Sequence, residues 1–77
     1  MRRSDLQIIA EARQRARDGR ARQLRERTCL TQEHVALVCG VTQQAVALWE
    51  TGERLPRGGH ALAYGRLLRD MASWAAG

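Results

Sequence analysis

The chain has no Phe, and its only aromatic residues are two Trp and one Tyr. A core of packed aromatic rings is excluded, so the interior must be assembled from Leu, Val, Ile and Ala. At 77 residues this is one domain near the lower limit of self-sufficiency, a size that often gains stability from a partner subunit. Cysteine is scarce too. Cys29 and Cys39 flank a predicted helix, with about 15 Å of helical rise between them, whereas a disulfide needs Cα atoms within ~7 Å. Neither they nor His34 and His60 have a zinc-site spacing, so no metal is expected and Cys39 reads as a small core residue. Long apolar runs are missing as well: the longest, Val35 to Val41, is far too short to span a bilayer. The opening MRRSDLQIIAEAR becomes charged again after a few apolar residues, unlike a signal peptide. A cytoplasmic protein with no membrane partner is expected.

Lysine is absent, and all thirteen basic residues are Arg. The net charge of +5 is unevenly distributed: residues 1–27 hold nine Arg against Asp5, Glu11, Asp18 and Glu26, while residues 28–77 balance four Arg with Glu33, Glu50, Glu53 and Asp70. A basic N-terminal third points to a polyanion partner. The competing reading is a solvated helix laced with i,i+4 pairs such as Glu11–Arg15 and Asp18–Arg22.

Every recurring apolar pattern has helical spacing, and no segment alternates with period two, so the fold is predicted to be all-α. The first helix spans Asp5 to Arg17, capped by Ser4 or Asp5, with Leu6, Ile9, Ala12 and Ala16 inward. Asp18-Gly19 is read as a break or kink; the alternative, a single helix to Arg27 with Gly19 tolerated at about 1 kcal/mol, stays open. A second helix covers Arg20 to Arg27. Thr31 caps a third through the N–H of Glu33 or His34, with Val35, Ala36 and Cys39 inward and Gly40 closing it. Thr42 caps a fourth, with Ala45, Val46 and Trp49 inward and Thr51-Gly52 at its end. ERLPRGG is a loop. A last helix, Gly59 to Ala75, places Tyr64, Leu67, Leu68, Met71 and Trp74 opposite Arg66, Arg69, Asp70 and Ser73.

Helix, short Gly-containing turn, helix is a helix-turn-helix arrangement, and by shape alone a weak signal. The residues are more specific. The stretch LTQEHVA…CGVTQQAVALWETGERLP resembles the Cro and phage-repressor family, the lambda-repressor-like or XRE helix-turn-helix proteins. The match rests on Leu30-Thr31-Gln32, Ala36, Gly40-Val41, Thr42, Val46, Trp49-Glu50, Gly52 and Pro56, within a resemblance covering about residues 20–70. It implies a lambda-repressor-like bundle of about five helices, residues 20–77 forming the DNA-binding domain and residues 1–19 a basic helical extension. It further implies a bacterial or phage-infected cell as the setting.

Chemistry supports the same assignment. A helix N-terminus offers unpaired N–H groups and partial positive charge to a phosphate, so Thr31, Gln32 and Thr42 are candidate phosphate contacts. The resemblance implies that the helix after Thr42 enters the major groove, with Gln43, Gln44, Ala47 and Leu48 at the bases. A Gln amide can donate and accept in the plane of adenine N7 and N6, and Leu48 either touches a thymine methyl or is buried elsewhere. The resemblance also implies a structural ion pair between Arg25 and Glu50. It places Arg54 and Arg57 at phosphates or in the adjacent minor groove, where an Arg gains from the negative potential of narrow A·T steps. For each Gln the competing reading is a solvated polar residue of the helix, and for Arg54 and Arg57 a solvated loop charge.

Four departures from the family stand out: Cys29 where relatives often have Gly, exposed-type positions filled by Leu37 and Val38, Leu48 in place of a polar reader, and the extension itself. One expectation is that Leu6, Ile8 and Ile9 of the extension cover Leu37 and Val38, within the chain or across a dimer. The other is that Arg13, Arg17 and Arg20 follow phosphates. Catalytic constellations and Gly-rich phosphate loops are missing, so an enzyme, a cofactor and a small-molecule ligand are not expected. The expectation is a homodimeric regulator, a repressor, on a palindromic duplex operator, with Trp74 and Met71 as candidate dimer contacts or as core. The rival is a protein-interaction module or antitoxin on the same fold.

Overall fold

The computed structural model describes residues 1–76. Five helices follow one another: α1 (Arg3–Asp18), α2 (Arg20–Arg27), α3 (Gln32–Cys39), α4 (Gln43–Thr51) and α5 (Gly58–Ala76). The chain breaks at Gly19, whose φ of 85° is left-handed, a conformation that costs a residue with a Cβ. Asp18 reinforces the break, its carboxylate accepting the backbone N–H and Nε–H of Arg20 at 3.0 and 2.9 Å. Arg20 therefore folds back on Asp18, and Arg22 pairs with Glu26 at 3.7 Å instead of with Asp18. Glu11–Arg15 forms at 3.1 Å.

The start of α1 also differs from the expected cap. The helix begins at Arg3, and Asp5 in its first turn accepts the backbone N–H of Arg2 at 3.1 Å. Its buried face is Ile8, Ala12 and Ala16, while Leu6 is 57% exposed and Ile9 half-buried. Small residues face inward because α1 lies against α5 at very close range. A Cβ on Gly65 would stand 2.5 Å from Ile8 Cγ2 and 2.8 Å from the Ile8 carbonyl oxygen. Arg69 of α5 ties the pair at the rim, its Nε donating to Glu11 at 2.9 Å; Arg69 and Arg15 hold the Glu11 carboxyl below its ordinary pKa.

Tyr64, Leu68, Met71, Val35 and Val46 are the largest fully buried side chains of the common core, to which α1 contributes Ala12 and Ala16. Met71 is thus interior, whereas Trp74 is 58% exposed. Burial pushes the Cys39 thiol up to about 11, which keeps it protonated and inert; Cys29 is exposed, and both thiols are free. The Tyr64 ring packs on Trp49 at 4.7 Å between centroids, but its buried hydroxyl has no hydrogen-bond partner, and burial raises its pKa. Tyr64→Phe removes that unsatisfied group and keeps the ring contact. It should leave stability unchanged or raise it by about 1 kcal/mol, read from the urea midpoint. A loss above that size would reveal a hydroxyl partner such as a buried water.

The turns after α2 and α3 are closed by the same bonding pattern. After α3, Val41 N–H reaches back to Ala36 O at 3.0 Å across Gly40, which has φ 70°. After α2, Leu30 N–H reaches Arg25 O at 3.2 Å and Cys29 N–H reaches Glu26 O at 3.1 Å. This is a Schellman closure whose left-handed position is occupied by Cys29, with φ 59°, although glycine suits it best. Cys29→Gly should therefore stabilise the domain by about 1 kcal/mol, raising Tm by roughly 4–8 °C. A lower Tm would mean that the exposed thiol makes a compensating contact.

Candidate nucleic-acid interface

Two threonines set the geometry of the α3–turn–α4 unit. Thr31 Oγ1 accepts His34 N–H at 3.1 Å, and His34 Nδ1 accepts Thr31 N–H at 3.1 Å, so the cap is reciprocal. Thr42 Oγ1 accepts Ala45 N–H at 3.2 Å. With the hydroxyls turned to the third residue of each helix, the earlier N–H groups of the first turn have no intrahelical acceptor and point outward. Both helix starts thereby carry partial positive charge suited to an anion.

The orientation of α4 is held from its far end. The Arg25 guanidinium of α2 forks onto both oxygens of Glu50, with Nη2 to Oε1 at 2.9 Å, while its Nη1 donates to Leu30 O at 2.9 Å. The Arg25 and Glu50 side chains are only 14% and 4% exposed. The network continues outward: Gln32 Nε2 donates to Glu50 Oε1 at 3.1 Å, and Gln43 Nε2 donates to Gln32 Oε1 at 3.4 Å. A partly buried ion pair is thus connected through two amides to the exposed start of α4. Sequence reading placed Gln32 at a phosphate without this link; its partner Glu50 lies eighteen positions away, beyond any local signal.

The candidate residues fall into two places. Gln32, Gln43, Gln44, Ala47, Leu48 and Thr51 line one shallow groove of about 340 Å³; Gln43 and Gln44 are exposed, Ala47 and Leu48 half-buried. Arg54 and Arg57 lie elsewhere, in a second groove past the end of α4, together with Arg13 of α1. Leu37 and Val38 project from α3 and are 80% and 62% exposed. The extension does not cover them within the chain, because α1 packs on α5, α2 and α4.

Among the described residues, no group of His, Cys, Asp and Glu could hold a metal ion, and no helix is long and apolar enough to cross a membrane. No curated protein and no solved structure gives a significant match to the chain. A family model described as helix-turn-helix matches residues 22–69, from early α2 to the middle of α5. Since that span covers most of the chain and takes in α3, the turn and α4 whole, the protein belongs to the XRE, lambda-repressor-like family of helix-turn-helix DNA-binding regulators.

Proposed function

We propose that the protein is a sequence-specific duplex-DNA-binding repressor that reads the major groove with α4. Gln43 and Gln44 hydrogen-bond base edges, Ala47 and Leu48 meet thymine methyls, and the starts of α3 and α4, with Thr31, Gln32 and Thr42, seat phosphates. Arg54 and Arg57 reach the flanking backbone or minor groove. The observation that carries the reading is the groove in which five α4 side chains and Gln32 lie side by side, backed by the Arg25–Glu50 pair. One such helix reads only a few base pairs, so the active species is a homodimer on a palindromic operator, with half-sites about one helical turn apart. Repression follows from occupying that operator. The family's role is regulatory DNA binding, in keeping with a protein that carries out no catalysis.

Selection of tight-binding duplexes from a random pool tests the reading. The expected winner is a palindrome bound ~10³-fold or more tightly than scrambled DNA. Gln44→Ala should cost about 1–3 kcal/mol on that consensus and relax selection at one position, with scrambled DNA little affected. Weak binding without a consensus would instead favour the protein-interaction or antitoxin reading, for which exposed Leu37 and Val38 are the supporting observation.

A further inference from the structure

Of the thirteen Arg, six pair with carboxylates: Arg15, Arg20, Arg22, Arg25, Arg66 and Arg69. Arg13, Arg17, Arg54 and Arg57 form no ion pair among the described residues. Two of these four belong to α1 and two to the loop after α4, yet the fold brings them together. Arg13 Nη1 donates to Pro56 O at 3.4 Å and lines, with Arg54 and Arg57, a groove of about 610 Å³. One turn on, the Arg17 backbone lies against Gly52, with Cα and O each 3.9 Å from where a Gly52 Cβ would stand. Glu53 and His60 share the groove, so the carboxylate offsets only part of the charge. His60 is tied down through Nδ1, 3.0 Å from Cys39 O.

We infer that Arg13 and Arg17 of the N-terminal helix bind the phosphodiester backbone of duplex DNA flanking the bases read by α4, in one basic surface with Arg54 and Arg57. The inference rests on the DNA-reading assignment of α4 and extends it to a segment outside the matched family region. The argument is positional. The two side chains lie one turn apart on the same face of α1, and that face meets the end of the reading helix and the loop that follows it. The guanidinium groups that line the groove form no ion pair with a carboxylate among the described residues. Arg20, the third residue of the sequence-predicted stripe, is held by Asp18 and does not take part. A phosphate contact positions without reading sequence, so α1 contributes affinity and register, leaving base preference to α4.

The test uses the full chain on its selected consensus duplex, with affinity titrated across salt. Arg13→Gln with Arg17→Gln should weaken consensus and scrambled DNA by the same factor and lower the slope of log K against log salt by about 2. Arg13→Lys with Arg17→Lys, which keeps both charges, should restore the slope. Arg22→Gln with Arg27→Gln removes the same net charge from α2 and should leave the slope near that of the parent protein. Thermal melts of each variant exclude unfolding as the cause, and if the glutamine pair does not fold, Arg13→Gln and Arg17→Gln are read singly, each expected to lower the slope by about 1. A consensus bound with an unchanged slope in the glutamine pair, or a slope lowered equally in the lysine pair, overturns the inference while leaving the reading by α4 in place. Failure to select any consensus overturns both.

Discussion

Glu50→Ala is expected to remove about 2–3 kcal/mol of stability, approaching the scale found when one partner of a fully buried ion pair is deleted. A chain of this size has roughly 4–12 kcal/mol in total, so the variant should melt far below the parent protein. The reason lies in what is left behind. Arg25 keeps its charge with only 14% of its side chain exposed, and Gln32 Nε2 loses its acceptor. The damage should also reach the surface, because Gln43 is steadied through Gln32. Urea denaturation of Glu50→Ala, Arg25→Ala and the double variant measures the coupling. Replacing the pair together by Leu and Met should recover much of the loss, since the fork's main cost is desolvation. A Glu50→Ala loss under about 1 kcal/mol would show that the pair behaves as a solvated surface contact.

Gly65→Ala sets two effects of opposite sign against each other. Exchanging Gly for Ala within a helix normally gains about 1 kcal/mol. Here the new methyl would meet Ile8 Cγ2 at 2.5 Å, the Ile8 carbonyl oxygen at 2.8 Å and Ala12 Cβ at 3.3 Å. A side-chain methyl can swing aside, but the carbonyl belongs to the backbone of α1 and moves only with the helix. Overpacking should therefore win, giving a net loss of about 1–3 kcal/mol by urea denaturation. Adding Ile8→Ala should relieve only part of the clash, because the carbonyl stays. A stabilised Gly65→Ala would mean that α1 shifts outward freely.

These two positions also show which parts of the fold can be read from the chain. The caps at Thr31 and Thr42 and the closure at Gly40 are local chemistry, legible within three or four residues. So are the breaks at Gly19 and Pro56. The inward face of α1 is different. Ala12 and Ala16 are inward as their spacing predicts, but the large residue on that face is Ile8, with Leu6 exposed and Ile9 half-buried, because the partner presents a glycine and rewards small side chains at the crossing. That choice belongs to the pair of helices and is written in neither one. In the candidate site, the α4 side chains were locatable from their position after Thr42. The contact of Arg13 with Pro56, 43 positions away, and the Gln32–Glu50 bond depend on the assembled bundle. Where the extension lies is likewise a property of the assembled bundle: its Ala12 and Ala16 sit in the same cluster as Val46 and Trp49.

The unequal burial of the two tryptophans gives the protein its own optical probes. Trp49 is 6% exposed and lies on the inner side of α4, against Tyr64, whereas Trp74 is open to solvent near the end of α5. Dissolved iodide would extinguish the emission of Trp74 and spare that of Trp49. With Trp74 changed to Phe, the single remaining indole fluoresces from the back of the helix assigned to base reading, so the docking of α4 could be timed by stopped-flow without attaching a dye.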